Sequence, residues 1–126
     1  MQLRRLKVLV IDDDPLLTQS LLHILEADGH AVTMAEGGQA GIEAFEKSVQ
    51  SAEAFDVVIT DLGMPYVDGR AVAVRVKELS PSTPVLMLTG WGQRMNVEQS
   101  TPPGVDRVLS KPPGLKLLRT ALAEVT

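Results

Sequence analysis

The sequence predicts an α/β protein with a three-layer, doubly wound fold built around a five-stranded parallel sheet. Short apolar runs alternate with amphipathic stretches along all 126 residues. Hydrophobic residues make up 44% of the chain but aromatic residues only 3%, and such a composition, rich in Val, Leu, Ile and Ala, is typical of buried parallel strands covered by helices. The length is that of one domain, so residues 1–126 are expected to form a single unit.

The first strand–helix unit is bounded by turn and capping residues. The apolar run 6–11 is predicted to be a buried strand. Asp14 follows as the expected N-cap of a helix, with Pro15 at the first helical position. Apolar residues then recur at helical spacing until Gly29, which is expected to end the helix.

The second and third units repeat this alternation. A short strand at 31–34 precedes an amphipathic helix at 38–47, and a polar connection follows. The third strand is predicted at 55–60, where nearly every residue is apolar, and the third helix at 69–79. A stretch rich in Pro and Ser ends that helix, because the residue before a proline disfavours helical backbone.

The last two units contain the shortest predicted helix. Strand 85–88 leads to a helix at 94–100 of only about two turns, which Pro102 and its neighbour Pro103 would end. The fifth strand is predicted at 105–109 and the last helix at 115–125. Five strand–helix units imply a parallel sheet with helices on both faces, and the common five-stranded order is 2-1-3-4-5.

Polar residues directly follow four of the predicted strands. Asp12 and Asp13 follow the first strand, and Asp61 follows the third. Thr89 follows the fourth strand, and Lys111 lies just past the end of the fifth. In the order 2-1-3-4-5 these strand ends share one edge of the sheet, where ligands bind. Clustered carboxylates repel one another unless a cation lies among them, and Mg²⁺ prefers carboxylate and phosphate oxygens. The pattern therefore predicts phosphoryl transfer, with Asp61 as nucleophile and Lys111 neutralising charge.

Four segments carry a resemblance to a known family. They are Val8-Leu9-Val10-Ile11-Asp12-Asp13-Asp14-Pro15, Asp61-Leu62-Gly63-Met64-Pro65 with Asp68-Gly69, Leu88-Thr89-Gly90, and Ser110-Lys111-Pro112. In this order, and across almost the entire chain, they resemble the receiver domains of response regulators in two-component signal transduction. The resemblance implies the flavodoxin-like receiver fold.

The resemblance also implies a metal site of defined composition. Asp61 matches the phosphoacceptor of the family, and Asp13 matches the direct ligand of Mg²⁺ or Mn²⁺. Asp12 matches the acidic partner that usually holds the metal through water. Gly63 would contribute its backbone carbonyl, for which no side chain is needed.

The switch and phosphate contacts follow from the same resemblance. Thr89 matches the hydroxyl that moves toward the phosphoryl group, and Lys111 matches the lysine that binds it. Family members usually have a cis bond before the proline at position 112. The signal would leave through the face formed by the fourth helix, the fifth strand and the last helix.

The resemblance further implies the partners. A sensor histidine kinase or a histidine phosphotransfer domain would donate the phosphoryl group, and an effector domain, an effector protein or a phosphorylation-dependent homodimer would read the signal. The chain is not expected to be a stand-alone enzyme. The only reactions that it would catalyse are its own phosphorylation and dephosphorylation at Asp61. It is expected to be a stand-alone protein or a domain cut from a hybrid sensor kinase or a larger regulator.

Several residues depart from the family pattern. Val108 stands where many members carry a switch Tyr or Phe, and Pro113 replaces a frequent Phe. Pro102 and its neighbour shorten the fourth helix, which usually changes on phosphorylation. Trp91 would lie beside the phosphorylation site, either gating access to it or capping the sheet edge.

Two rival functions stay open at this point. A haloacid-dehalogenase-type phosphatase would use Asp12 as nucleophile with Asp14 two residues later, but Asp61 would then have no role. A flavodoxin-like FMN carrier would need a hydroxyl- and glycine-rich phosphate loop, whereas three aspartates follow the first strand. A pseudo-receiver is disfavoured because every site residue is present. His23 and His30 have no ligand partner at useful spacing.

Charge and composition exclude further classes. The net charge of −4 argues against direct nucleic-acid binding. The chain has no cysteine, so disulfides and thiolate metal sites are excluded. No apolar run approaches the ~18 residues that membrane insertion needs, and a cytoplasmic location is expected.

Overall fold

A computed structural model describes residues 5–90, 102–111 and 113–126. Along the chain its elements are β1 (Lys7–Ile11), α1 (Pro15–Ala27), β2 (Ala31–Ala35), α2 (Gly38–Gln50), β3 (Val57–Asp61), α3 (Gly69–Leu79), β4 (Val85–Thr89), β5 (Arg107–Ser110) and α4 (Leu115–Val125). The predicted helix at 94–100, Trp91 and the Pro112 peptide bond lie outside the described residues.

The five strands form one parallel sheet in the order β2-β1-β3-β4-β5, which confirms the predicted fold class. The register aligns the carboxyl ends of neighbouring strands: Ile11 pairs with Thr60, and Thr89 pairs with Ser110. Because each strand–helix–strand connection in a parallel sheet is right-handed, reversing direction across the sheet after β2 puts α1 on one face and both α2 and α3 on the other. The ends of β1, β3, β4 and β5 therefore lie along one edge.

The core consists of two apolar layers, one on each face of the sheet. Alternate residues of a strand point to opposite faces, so Val8 and Val10 of β1 pack toward α1 and α4, while Leu9 and Ile11 pack toward α2 and α3. All five residues of β3 and of β4 are buried. This rigid centre holds the residues at the strand ends in place.

Three element boundaries differ from the prediction by two residues or more. Helix α2 continues to Gln50 instead of ending at 47, β3 begins at Val57 instead of 55, and β5 comprises Arg107–Ser110 instead of 105–109. Before β3, the ring of Phe55 stacks on Phe45 with 6.4 Å between ring centroids, so it leaves the strand path. Before β5, the Val105 amide donates to the Pro102 carbonyl in a turn.

Among the residues that the structure describes, no helix is long and apolar enough to cross a membrane.

Candidate functional site

Three carboxylates converge where β1 and β3 end. Asp12 directly follows β1, Asp13 comes next, and Asp61 is the last residue of β3. One carboxylate oxygen from each of the three lies within 4.8 Å of the others. Asp12 and Asp61 are each about 1% exposed, whereas Asp13 faces solvent. The structure thus brings together the three acidic residues that were predicted to share this edge.

Lys111 supplies a cation to this cluster. It follows β5 directly, and its Nζ lies 2.8 Å from Asp61 Oδ1 and 3.1 Å from Asp12 Oδ2. The lysine side chain is 19% exposed, so its ammonium contacts the carboxylates in a partly dehydrated setting where charge interactions are strong. One ammonium nevertheless offsets only one of the three carboxylates.

The Asp12 carboxylate is held in place by the chain beside it. The Asp14 amide donates to Asp12 Oδ1 at 2.9 Å, which turns Oδ2 toward Lys111. Burial raises the pKa of the Asp12 carboxyl above its ordinary value, and the nearby Asp61 charge adds to this effect. The hydrogen bond from Asp14 and the Lys111 ammonium oppose that rise without cancelling it.

The Lys111 ammonium is stabilised in its charged form. Burial by itself lowers the pKa of Lys111, because a charged group loses hydration. The contacts with Asp61 and Asp12 together outweigh burial, so the pKa of Lys111 lies above its ordinary value of 10.5. The ammonium is therefore positively charged at neutral pH.

Thr89 is the last residue of β4 and is 8% exposed. Its backbone carbonyl accepts a hydrogen bond of 2.8 Å from the Lys111 amide, so the ends of β4 and β5 are joined at the site. Val108 lies on β5 opposite Met87 and is half-buried. Val108 therefore occupies its sheet position without the aromatic ring that the resemblance would imply.

The loop after Asp61 is tied down by its backbone. The Leu62 amide donates to the Leu88 carbonyl, and the Gly69 amide donates to the Leu62 carbonyl, each at 2.9 Å. A Cβ on Gly69 would collide with the Asp61 carbonyl oxygen, so only glycine permits this approach. Sequence reasoning missed this role, although an Asp-Gly pair at the start of a helix is the signal that would have pointed to it. Gly63 lies exposed in the same loop.

The donor set suits a hard divalent cation. Asp12 Oδ2 and Asp61 Oδ1 are buried, and within the described part of the chain they share the Lys111 ammonium as their polar contact. A carboxylate oxygen can accept more than one contact, so a single shared ammonium leaves both oxygens with capacity for another ligand. Clustered carboxylate oxygens that leave room for water are the environment that Mg²⁺ prefers.

Comparison with known proteins agrees with this geometry. The sequence profile of the family described as response regulator receiver domain matches residues 8–123. The transcriptional regulatory protein ResD of Bacillus subtilis is 33% identical over 111 residues, covering 88% of this chain and 44% of ResD. The transcriptional regulatory protein GlrR of Escherichia coli is 33% identical over 105 residues, covering 83% of this chain and 22% of GlrR.

A solved structure extends the likeness to three dimensions. The crystal structure of a response regulator receiver domain protein from Clostridium thermocellum has a TM-score of 0.84 and 32% identity, covering 95% of this chain and 93% of that one. The chain spans less than half the length of the two curated relatives. On the profile match, the sequence identities and the shared fold, this chain belongs to the response regulator receiver domain family.

Proposed function

We propose that this receiver domain accepts a phosphoryl group on the Asp61 carboxylate and signals by a change of conformation. The observation that carries the proposal is the contact of Asp61 Oδ1 with the Lys111 ammonium, 2.8 Å away, inside a cluster of three carboxylates. A carboxylate held beside a fixed cation can attack phosphorus while the cation neutralises charge on the transferring group.

The donor would be a phosphohistidine on a sensor histidine kinase or on a histidine phosphotransfer domain. A bond forms between an Asp61 oxygen and phosphorus as the bond between phosphorus and the histidine nitrogen breaks. The imidazole leaves as the neutral ring once it has taken up a proton. The Lys111 ammonium contacts Asp61 Oδ1 and would hold a phosphoryl oxygen after the transfer.

Asp12, Asp13, Asp61 and the Gly63 carbonyl would hold Mg²⁺ or Mn²⁺. Bound there, the ion would neutralise charge on the phosphoryl oxygens and orient them for in-line transfer. The buried oxygens of Asp12 and Asp61, which share one ammonium between them, support this assignment. Asp13 is the exposed member of the set, which suits a ligand that must admit both the ion and its waters.

Thr89 and Lys111 would carry the signal away from the site. Both stand at strand ends, and the hydrogen bond from the Lys111 amide to the Thr89 carbonyl links them. Movement of either side chain toward a phosphoryl group would therefore act on β4 and β5 together. We expect β5 and α4, the part of the predicted output face that the structure describes, to respond, and an effector or a second copy to read the change.

Receiver domains are generally not enzymes on their own. We propose that this chain catalyses only its own phosphorylation and dephosphorylation, and that residues 1–126 form one receiver domain. We also propose that it works in the cytoplasm, where histidine kinases are phosphorylated from ATP. The effector would be either a further domain of the same protein or a separate protein, because the two curated relatives are much longer than the matched segment.

The test is intact mass spectrometry after incubation with acetyl phosphate, with and without Mg²⁺. We expect a phosphoryl-sized mass gain that requires Mg²⁺ and disappears in Asp61→Asn. Asp56→Asn is the matched control, because Asp56 directly precedes the same strand and accepts a backbone hydrogen bond from Lys7 that Asn can also accept. A gain that survives in Asp61→Asn and disappears in Asp12→Asn would instead indicate a phosphatase-type nucleophile.

A further inference from the structure

Tyr66 lies in the loop between β3 and α3, and the backbone of this loop is held at two points. The carbonyl oxygen of Val67 rests against Gly38 at the start of α2, where a Cβ would collide with it. At the end of the loop, Gly69 lies against the Asp61 carbonyl in the same way. Val67 also packs half-buried against the α2–α3 side of the core. The loop that follows Asp61 is therefore fixed to both neighbouring helices.

The backbone of Tyr66 adopts a conformation that non-glycine residues rarely adopt. Its φ is +67°, and the Val67 amide donates to the Pro65 carbonyl at 2.7 Å across it, which closes a three-residue turn. Turns of this kind with positive φ are rare and strained, and a bulky residue in one is an outlier. Strain of this kind persists only where the surroundings enforce it, and it concentrates at functional sites.

The Tyr66 side chain gains no burial in return for this strain. It is fully exposed, at 106% of the reference area for tyrosine. Packing in the folded domain therefore does not explain why an aromatic ring occupies this position. An exposed tyrosine on a fixed backbone is instead typical of a contact residue in a protein interface, because it supplies a large rigid area.

The Tyr66 turn follows Asp61 closely along the chain, which points to the protein that delivers the phosphoryl group as the partner. Tyr66 follows Asp61 by five residues, on the edge of the sheet where the carboxylates lie. Asp61 ends β3 at this edge and the rest of β3 is buried, so a phosphohistidine would approach Asp61 across this edge. Leu16, five residues after the end of the adjacent strand β1, is also exposed, at 77%. Two exposed side chains thus follow the strand ends that carry the acidic residues, Leu16 in the first turn of α1 and Tyr66 in the β3–α3 loop.

We propose that Tyr66 is a specificity-determining contact for the histidine-bearing phosphodonor protein. This inference rests on the proposed function, since it requires transfer to Asp61. A protein donor must bury the rim of the site to bring its histidine into line, so the exposed ring contributes to its binding. A small phosphodonor reaches the carboxylates without covering the rim, so it gains nothing from Tyr66.

The test compares two donors on the same variants. A set of purified, autophosphorylated histidine kinase domains is first screened, and the one that phosphorylates the wild-type chain fastest serves as the protein donor. The small donor is acetyl phosphate with Mg²⁺. For Tyr66→Ala, we expect the ratio of the protein-donor rate to the acetyl phosphate rate to fall about tenfold. Tyr66→Phe should keep the ratio within about twofold of wild type.

Two further variants control for the backbone and for exposed apolar surface. Tyr66→Asn should lower the ratio as Tyr66→Ala does, because Asn tolerates the left-handed backbone and lacks the ring. Val49→Ala, at an exposed apolar position of α2, should leave the ratio unchanged. Equal loss with both donors in Tyr66→Ala, or no loss with either, would overturn the proposal. If acetyl phosphate failed to label the wild-type chain, the proposed function itself would fall.

Discussion

At the residue scale, His30 shows how a side chain outside the site contributes to the fold. It is 4% exposed, and its Nδ1 accepts a hydrogen bond of 3.0 Å from the Leu6 amide. Because Nδ1 is an acceptor, the ring is neutral with its proton on Nε2. Burial lowers the pKa of His30 below its ordinary value of 6.5, and the Asp28 carboxylate only partly opposes this effect.

The lowered pKa predicts that acid destabilises the protein through His30. The folded state binds this proton less readily than the unfolded chain does, so the contribution to stability is complete above about pH 6.5 and is lost as the pH falls below it. Urea unfolding between about pH 7.5 and pH 5 should show a fall in the free energy of unfolding that is smaller in His30→Gln. His23→Gln, at an exposed position of α1, should keep the wild-type slope; an equal slope in all three proteins would contradict the prediction.

The residues of the site were predictable individually because their positions depend on topology. Asp12 and Lys111 each directly follow a strand and Asp61 ends one. Parallel strands in the order 2-1-3-4-5 bring those strand ends together whatever the details of packing. The burial of His30 was not predictable, because it depends on how the α1–β2 turn packs against the start of β1. The strained turn at Tyr66 was not predictable either, because the backbone dihedral angles of this loop depend on its tertiary contacts with Gly38 and Asp61.

At the element scale, the C-terminal end of α2 is a weak point of the fold. Ser51 is the C-cap, and Ala52 follows with φ of +62°, the left-handed conformation that glycine usually supplies at this position. An L-residue with a side chain pays for this conformation through contact of its Cβ with the backbone, about 1–2 kcal/mol. Ala52 is exposed, so no packing offsets the strain.

Ala52→Gly should therefore stabilise the protein. We expect the free energy of unfolding to rise by about 0.5–1 kcal/mol, which is the relieved strain less the extra chain entropy of glycine. Chemical denaturation measures this difference directly. The control is Ala54→Gly in the same connection, whose φ is not positive, and which should lower the free energy of unfolding by about 0.4–1 kcal/mol. A loss of stability in both variants would show that Ala52 is not strained.

Strands and helices were predicted in type and order throughout the described residues, but their ends were not. The apolar run of β4 and the spacing of apolar residues in α1 and α3 are local signals that tertiary packing reinforces. Helix α2 extends past the predicted end at 47 because Ser48 is buried and its hydroxyl donates to the Phe45 carbonyl. A polar residue thus completes the last turn, which periodicity of apolar residues cannot reveal.

At the scale of the whole molecule, the site and the proposed output face are joined through β4 and β5. The Lys111 amide bonds to Thr89, and the next-to-last residue of β5, Leu109, packs against α4 through Leu118 and Leu122. A change at the carboxylate cluster therefore has a short, continuous path to α4. Val108 replaces the aromatic ring expected on β5, so this path depends on the backbone and on Leu109.

Removing the Thr89 hydroxyl should separate phosphoryl binding from the response. With beryllium fluoride and Mg²⁺ as a phosphoryl analogue, we expect amide resonances of β5 and α4 to shift in the wild-type chain. Thr89→Ala should still bind the analogue at Asp61 but lose most of those shifts. Thr33→Ala, at an exposed position of the opposite edge strand β2, should behave as wild type. Full shifts in Thr89→Ala would show that the signal leaves by another route.

The central claim is that the Asp61 carboxylate becomes phosphorylated, and identifying the modified residue tests it most directly. Borohydride reduces an acyl phosphate to an alcohol, so the reduced protein carries a permanent mark on the phosphorylated aspartate. After labelling with acetyl phosphate and Mg²⁺, peptide mass mapping should find this mark on Asp61 alone. A mark on Asp12 or Asp13 in place of Asp61 would contradict the account, because the nucleophile would then be a carboxylate proposed only as a metal ligand.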